Sequence, residues 1–195
     1  SAVLTDAAFE NGVIEVDIAT IGDRVRSYPG VTFRIQDDGS WERFYIRPHR
    51  HSLYADTLQY VPAFSGVDSW QLYSGDGCTA GAVIPVNEWF RVKIEVSGAQ
   101  ARVFIGASPQ PALRIPDLRH GLGAGALGVM GPVDGSSYFS NFSYRQADLP
   151  AFTDMPPAES PPGALVDWQI SKPFAALKIE MDKTPAEQGL GDLSW

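Results

Sequence analysis

The chain has 195 residues, a length that suits one well-packed domain and is hardly enough for two. With 44% hydrophobic and 19% charged residues it is neither disordered nor fibrous, and no apolar run approaches the roughly 20 residues of a membrane-spanning helix. The formal net charge is -8, whereas proteins that bind nucleic acids or anionic lipids usually carry a basic surface, so we expect neither partner. Because no apolar run is long enough, we also expect no membrane span.

Cysteine usage and the first residues leave the compartment open. A single cysteine, Cys78, excludes an intramolecular disulfide. The first residues do not show the basic start and apolar segment of a signal peptide. The sequence therefore fits a mature exported protein and a cytoplasmic protein equally well.

A strand pattern opens the chain, and a turn signal then predicts a hairpin with two distinct faces. Residues 13–18 alternate apolar and acidic side chains, which is the period of a half-buried β-strand. An Asp-Gly dipeptide at 38–39 indicates a two-residue turn. That turn pairs Val31 with Ile46 and places Phe33 opposite Phe44 on an aliphatic face. The other face receives the polar and aromatic side chains of the same two strands: Thr32, Arg34, Gln36, Trp41, Arg43, Tyr45 and Arg47.

A second hairpin is predicted around a turn at 98–99. It pairs Ile94 with Val103 inside and Glu95 with Arg102 outside. Short strand patterns continue along the chain, and no segment of the main domain keeps a helical period for three turns. These patterns predict an all-β, antiparallel sandwich or barrel.

Composition changes after residue 146. We divide the chain into a β-sandwich at 1–146, a proline-rich linker at 147–164 and a C-terminal extension at 165–195. The extension carries a strand pattern but is too short for its own core. Two alternatives stay open: it packs back on the sandwich, or it begins a truncated second domain.

Several strand sequences, taken in order, resemble those of a known superfamily. Residues 9–17, 89–98, 101–105, 128–130 and 138–142 resemble the recurring strands of laminin G-like, concanavalin A-like lectin and glucanase jelly rolls. The resemblance is closest to the secreted bacterial branch with 3-keto-disaccharide hydrolase-type domains. It implies a jelly-roll β-sandwich whose curved face receives sugar in relatives, sometimes a structural calcium, and an extracellular or periplasmic location. The superfamily includes lectins, hydrolases and adhesion modules, so the fold does not select among them.

The face opposite the aliphatic one supplies the candidate ligand-binding residues. Guanidinium groups match planar oxygens, and aromatic rings stack on the apolar faces of sugars. We therefore predict that saccharide-binding residues are Arg34, Arg43, Tyr45, Arg47, His49, Gln59 and Trp70. The alternative is that these arginines are solvated or paired with neighbouring acids.

Catalytic and metal-binding residues are less well specified. Glu42 is directed toward the aliphatic face and His49 follows the strand, so these two are the candidate proton carriers of a hydrolase. His49 and His51 have only Asp56 nearby, too few ligands for zinc, so no metal centre or other cofactor is predicted. A structural calcium could use loop carboxylates: Asp68, Asp76, Asp117 and Asp134.

Three functions therefore remain. The favoured one is recognition of a saccharide or glycan by an exported, lectin-like module. The second is a glycoside hydrolase of the 3-keto-disaccharide hydrolase type. The third is a structural or adhesion module that binds a protein partner through the C-terminal extension.

Overall fold

The computed structural model of the chain describes residues 1–21, 27–37, 39–51, 53–68, 70–121, 123–131 and 136–156. All of them belong to one compact unit, Ser1–Pro162. The predicted C-terminal extension and the second half of the predicted linker, residues 157–195, lie outside the described residues. No helix in the described ranges has the length and apolarity needed to cross a membrane.

The described chain is built almost entirely of β-strands. The strands are β1 (Ala2–Phe9), β2 (Gly12–Thr20), β3 (Gly30–Ile35), β4 (Trp41–Ile46), β5 (Leu58–Phe64), β6 (Val67–Asp68), β7 (Thr79–Ala80), β8 (Trp89–Ser97), β9 (Gln100–Ile105), β10 (Leu113–Ile115), β11 (Gly125–Met130) and β12 (Ser137–Gln146). Single 3-10 turns occur at Pro48–Arg50 and Trp70–Leu72. The proline at the first position of the Pro48–Arg50 turn fixes its own backbone angle and donates no amide hydrogen, which is why β4 ends there.

The strands form two antiparallel sheets that pack as a sandwich. The seven-stranded sheet has the order β1-β11-β3-β4-β5-β6, with β7 also paired to β5. The five-stranded sheet has the order β10-β9-β8-β2-β12. The antiparallel all-β sandwich that the sequence predicts is therefore confirmed.

Alternation along the strands produces the core between the sheets. In β2, Ile14, Val16 and Ile18 are fully buried, whereas the acids between them stay partly exposed. Burial of each such side chain stabilises the fold by roughly 1.5–3 kcal/mol. The predicted second hairpin is also confirmed, because Ile94 pairs with Val103 as the turn at 98–99 requires.

The predicted register of the first hairpin is wrong by two residues. Val31 pairs with Phe44 and Phe33 with Glu42, instead of with Ile46 and Phe44. Two features each shift the register by one residue. The Gln36 amide donates to the Ser40 carbonyl at 2.8 Å, so the turn contains three residues instead of two. Arg34 then adds a β-bulge. A slip of two residues preserves the faces, so the aliphatic side chains still point inward.

The prediction that Arg34 lies on the polar face is also wrong. Arg34 adopts φ 53°, a left-handed conformation that is uncommon outside glycine, and this turns its side chain into the end of the sandwich. The residue as a whole is 1% exposed. It donates to the carbonyls of Glu10 at 2.8 Å, Gly98 at 2.7 Å and Gly121 at 2.7 Å. Arg34 therefore joins three chain connections and has no surface for a ligand.

The first part of the predicted linker lies against the five-stranded sheet. The Ser97 hydroxyl donates to the Leu149 carbonyl at 2.7 Å, and the Phe152 amide donates to the Gln100 side chain at 2.9 Å. The Phe152 ring is buried under the Arg102 guanidinium at 4.0 Å. Residues 147–156 thus cover part of this sheet.

We predict that Arg34→Ala destabilises the fold by about 3–5 kcal/mol, because it leaves buried carbonyls without donors. Urea unfolding followed by tryptophan fluorescence measures the effect. Arg145→Ala is the matched control, since Arg145 is exposed on β12. Equal unfolding midpoints for the two variants would contradict the role assigned to Arg34.

Candidate functional site

The candidate site lies on the face of the seven-stranded sheet that points away from the core. Along β4, Phe44 and Ile46 enter the core, whereas Arg43, Tyr45 and Arg47 point outward. Gln59 of β5 pairs with Tyr45 and shares its direction. We call Arg43, Tyr45, Arg47 and Gln59, with Asp68 and Trp70 beside them, the β4–β5 outer face.

A closed hydrogen-bond network holds the centre of this face. The Tyr45 hydroxyl donates to Gln59 Oε1 at 2.8 Å and accepts from Arg47 Nη2 at 2.8 Å. Arg47 also donates to Gln59 Oε1. Gln59 Nε2 donates to the carbonyls of Trp70 at 2.8 Å and Tyr73 at 2.6 Å. The network therefore fixes the turn that carries Trp70 onto the sheet.

Burial perturbs the central tyrosine of the network. Tyr45 is 4% exposed, and removal from water raises the pKa of its hydroxyl to about 12, although the charges of Arg47 and Arg43 oppose the rise. Both guanidinium groups lie over the ring, with Cζ atoms 4.7 Å (Arg43) and 4.9 Å (Arg47) from its centroid. Tyr45 consequently stays neutral and positions the two arginines.

Arg43 and Asp68 form the pair at one side of the face. Arg43 Nη1 donates to Asp68 Oδ2 at 2.5 Å, and Arg43 Nη2 donates to the Tyr28 carbonyl at 3.3 Å. Their side chains are 12% and 22% exposed. The pair is therefore partly exposed at the surface of the face, and each charge is compensated by the other.

A second group of charges lies where β4 ends. Arg47 donates to the Asp56 carbonyl at 2.8 Å, and Arg50 Nε donates to the Asp56 carboxylate at 2.7 Å. The Arg50 guanidinium lies 4.0 Å from the centroid of the Tyr54 ring. Asp56 thus connects the β4–β5 outer face to a neighbouring aromatic side chain.

His49 lies beside these charges. Its ring is 6.0 Å from the ring of Tyr28 in an edge-to-face arrangement. Burial lowers the pKa of His49, and the positive charges of Arg50 and Arg47 lower it further. The imidazole is therefore neutral at pH 7.

Trp70 supplies the apolar part of the β4–β5 outer face. Its side chain is 48% exposed, and Arg47 Cζ lies 5.5 Å from the indole centroid. Its backbone carbonyl accepts from Gln59, which ties this residue to the β4–β5 outer face. A half-exposed indole beside hydrogen-bonding groups is a suitable stacking surface for a sugar ring.

Glu42 lies on the opposite face of β4, inside the core. Its carboxylate is fully buried, accepts from the Tyr60 hydroxyl at 2.6 Å and accepts from the His120 amide at 2.9 Å. Burial raises the pKa of Glu42, although these hydrogen bonds and the charge of Arg34 act in the other direction. Glu42 therefore tethers a loop, and the structure does not bring it together with His49, the other candidate proton carrier.

The carboxylates considered for calcium have other partners or lie apart. Asp68 pairs with Arg43, and Asp117 pairs with Arg119 at 2.5 Å. Asp134 lies outside the described residues. Within the ranges that the structure describes, no group of three or more His, Cys, Asp or Glu side chains could hold a metal ion.

Sequence reasoning missed four residues near the site: Tyr28, Arg50, Tyr54 and Asp68 as the partner of Arg43. Asp68 belongs to the two-residue strand β6, which is too short to give an alternation signal. Tyr54 lies in a loop, where no period indicates a direction. Arg50 was visible only as part of the basic run that follows β4.

Comparison with solved structures shows that the fold is a jelly-roll β-sandwich. No family model matches the sequence, and no curated protein does. The carbohydrate-binding module CBM66 from Bacillus subtilis has a TM-score of 0.57 at 17% identity, with 72% of this chain and 78% of that chain covered. A homodimeric agglutinin from chicken liver has a TM-score of 0.52 at 13% identity, with 74% and 98% covered. Chicken galectin 2 has a TM-score of 0.52 at 10% identity, with 74% and 100% covered. At these identities the similarity shows the fold alone.

The buried carboxyl of Glu42 predicts a pH-dependent stability. Because its folded-state pKa is raised above the ordinary value of 4.5, the native state binds more protons than the unfolded state between the two values. Stability from this group is therefore present at low pH and is lost as pH rises toward the folded-state pKa, at a slope of at most about 1.4 kcal/mol per pH unit.

This contribution is isolated by urea unfolding of the wild type and of Glu42→Gln. The two proteins are compared across a pH series from acid to mildly alkaline. We expect the free energy of unfolding of the wild type, minus that of the variant, to fall as pH rises. A difference that rises with pH would show that the folded-state pKa of Glu42 is lowered instead.

Proposed function

We propose that the protein binds carbohydrate on the β4–β5 outer face. The observation that carries the proposal is the half-exposed indole of Trp70, whose backbone is bonded to Gln59, on the same face as the Arg43–Asp68 pair. An indole stacks on the apolar face of a sugar ring, and a guanidinium–carboxylate pair offers donors and acceptors to its hydroxyls. Carbohydrate-binding modules and galectins with the same fold add support. We also propose that the protein acts outside the cytoplasm.

The pairing of the charges favours a neutral sugar as the ligand. Arg43 is bonded to Asp68, and Arg50 is bonded to Asp56. The third arginine, Arg47, is 6% exposed and its guanidinium donates to groups within the network, so the exposed guanidinium groups of this face are both paired with an aspartate. An acidic ligand would have to displace an aspartate or approach it, and both cost free energy. A hydroxyl accepts from the arginine and donates to the aspartate without disturbing the pair.

Binding without bond cleavage agrees best with the placement of the carboxylates. Glu42 is fully buried on the core side of β4, so a sugar on the β4–β5 outer face does not reach it. His49 is the other candidate proton carrier, and its carboxylate neighbour Asp56 is already paired with Arg50. We therefore favour a binding module over the hydrolase.

Trp70→Ala tests the proposed face directly. We expect it to weaken binding to a retained polysaccharide about tenfold, corresponding to about 1.4 kcal/mol of lost stacking. Affinity electrophoresis in gels containing dextran, xylan, barley β-glucan, galactan or inulin measures the retardation.

Trp89→Ala is the matched control, because Trp89 is 56% exposed but belongs to β8 of the other sheet. If Trp89→Ala abolishes the retardation and Trp70→Ala leaves it unchanged, the binding site lies on the other sheet. Absence of retardation of the wild type by every polysaccharide would overturn the proposed function.

A second prediction concerns ligand charge. We expect binding of the retained neutral polysaccharide to change less than about twofold between 50 mM and 500 mM NaCl, because no net charge is neutralised on binding. Polygalacturonate is the acidic comparison in the same gels. Stronger retardation by polygalacturonate, lost at high salt, would contradict the preference for neutral sugars.

A further inference from the structure

A groove of about 490 Å³ lies next to the charges at the end of β4. It is lined by Leu53, Tyr54, Ala55, Gly81, Ala82 and Val83. None of these residues belongs to the β4–β5 outer face. The groove therefore needs its own explanation.

The groove is connected to the β4–β5 outer face through Asp56. Arg47, which lies beside Trp70, contacts Asp56 through the backbone carbonyl, and Arg50 pairs with the Asp56 carboxylate. Arg50 in turn stacks on Tyr54, which lines the groove. Polar and aromatic groups therefore follow one another without interruption from Trp70 to Tyr54.

Hydrogen bonds hold the backbone of the wall that carries Tyr54. The buried Thr57 hydroxyl bridges the carbonyls of Arg50 at 3.0 Å and Tyr54 at 3.1 Å. The Arg47 amide donates to the Thr57 carbonyl at 2.7 Å, which ties the loop to the end of β4. The backbone of Tyr54 is consequently held in place, and its ring lies 4.0 Å from the Arg50 guanidinium, which favours a preorganised binding site.

The groove is also lined by exposed apolar side chains. Tyr54 is 49% exposed, Leu53 is 82% exposed and Val83 is 72% exposed. Clustered apolar side chains of this kind mark binding surfaces more often than isolated ones do. The Arg50 guanidinium, partly exposed beside the ring, adds hydrogen-bond donors. An aromatic ring with an adjacent donor is the same combination that Trp70 and Arg47 provide.

We propose that the Tyr54 groove is a second sugar subsite, and that the protein binds oligosaccharide or polysaccharide chains that extend from Trp70 across Asp56 to Tyr54. This inference rests on the proposed function and specifies its ligand class. One sugar unit occupies the β4–β5 outer face, and a later unit of the same chain stacks at Tyr54. The two subsites then act in series, so that affinity rises with chain length.

The test compares the wild type with two variants of the proposed subsites, Tyr54→Ala and Trp70→Ala. The control is Tyr138→Ala, which alters an exposed tyrosine of β12. Their ligands are the polysaccharides named above and the corresponding monosaccharides glucose, xylose, galactose and fructose, used as competitors. We expect Tyr54→Ala to weaken polysaccharide binding about tenfold and to leave the competition by monosaccharide unchanged. Trp70→Ala is expected to weaken both.

The outcomes separate the two proposals. If Tyr54→Ala matches the wild type while Trp70→Ala loses binding, the second subsite is overturned and the proposed function stands. A monosaccharide that binds the wild type as tightly as the polysaccharide also overturns the subsite. A wild type that binds no saccharide overturns both.

Val83→Ser provides a second variant that leaves the contact between Arg50 and Tyr54 in place. Val83 is exposed, so its replacement does not threaten folding. We expect a several-fold loss for polysaccharide and none for monosaccharide. Full polysaccharide affinity in both Val83→Ser and Tyr54→Ala would exclude the groove as a subsite.

Discussion

The buried guanidinium of Arg34 is the constraint on which the rest of the structure depends. A buried cation is tolerated only when its donors are satisfied, and the carbonyls of Glu10, Gly98 and Gly121 satisfy those of Arg34. These carbonyls belong to the β1–β2 connection, the β8–β9 turn and the loop before β11. One side chain of the seven-stranded sheet thereby fixes connections that lead to both sheets. The left-handed backbone at Arg34 costs about 1–2 kcal/mol and is offset by these hydrogen bonds.

The bulge at Arg34 also determines what the candidate site contains. Compared with a regular hairpin that has a two-residue turn, the bulge and the three-residue turn together shift β4 by two residues along β3. This shift is about 7 Å. Arg43 is thereby placed opposite Thr32, where its guanidinium reaches both the Tyr28 carbonyl and Asp68. The bulge therefore affects the site at a distance, through the position of a whole strand, and the arginine that causes it has no direct contact with a ligand.

Alternation made the faces of β2, β4 and β8 predictable, because a slip of two residues leaves every side chain on its own face. The second hairpin was predictable in full, since its turn contains two residues. The bulge at Arg34 was not predictable. The left-handed backbone conformation that it requires is usually adopted by glycine, so an arginine at this position gives no sequence signal for it. The partners Asp68 and Tyr54 were missed for another reason: contacts made by loops and two-residue strands depend on the tertiary fold and not on local periodicity.

The period of two along β4 separates the two chemistries that the strand carries. Glu42 points into the core, toward Tyr60 and the His120 amide, whereas Arg43 points to the outer face. Neighbours on one strand cannot meet in one cavity, so the sheet itself would keep a sugar on the proposed face from the buried carboxylate. Burial that raises the pKa of Glu42 suits a general acid in a cleft, but here the acid holds a loop in place. The strand thus supplies a structural anchor on one side and the proposed ligand surface on the other, an arrangement that agrees with the proposed binding module.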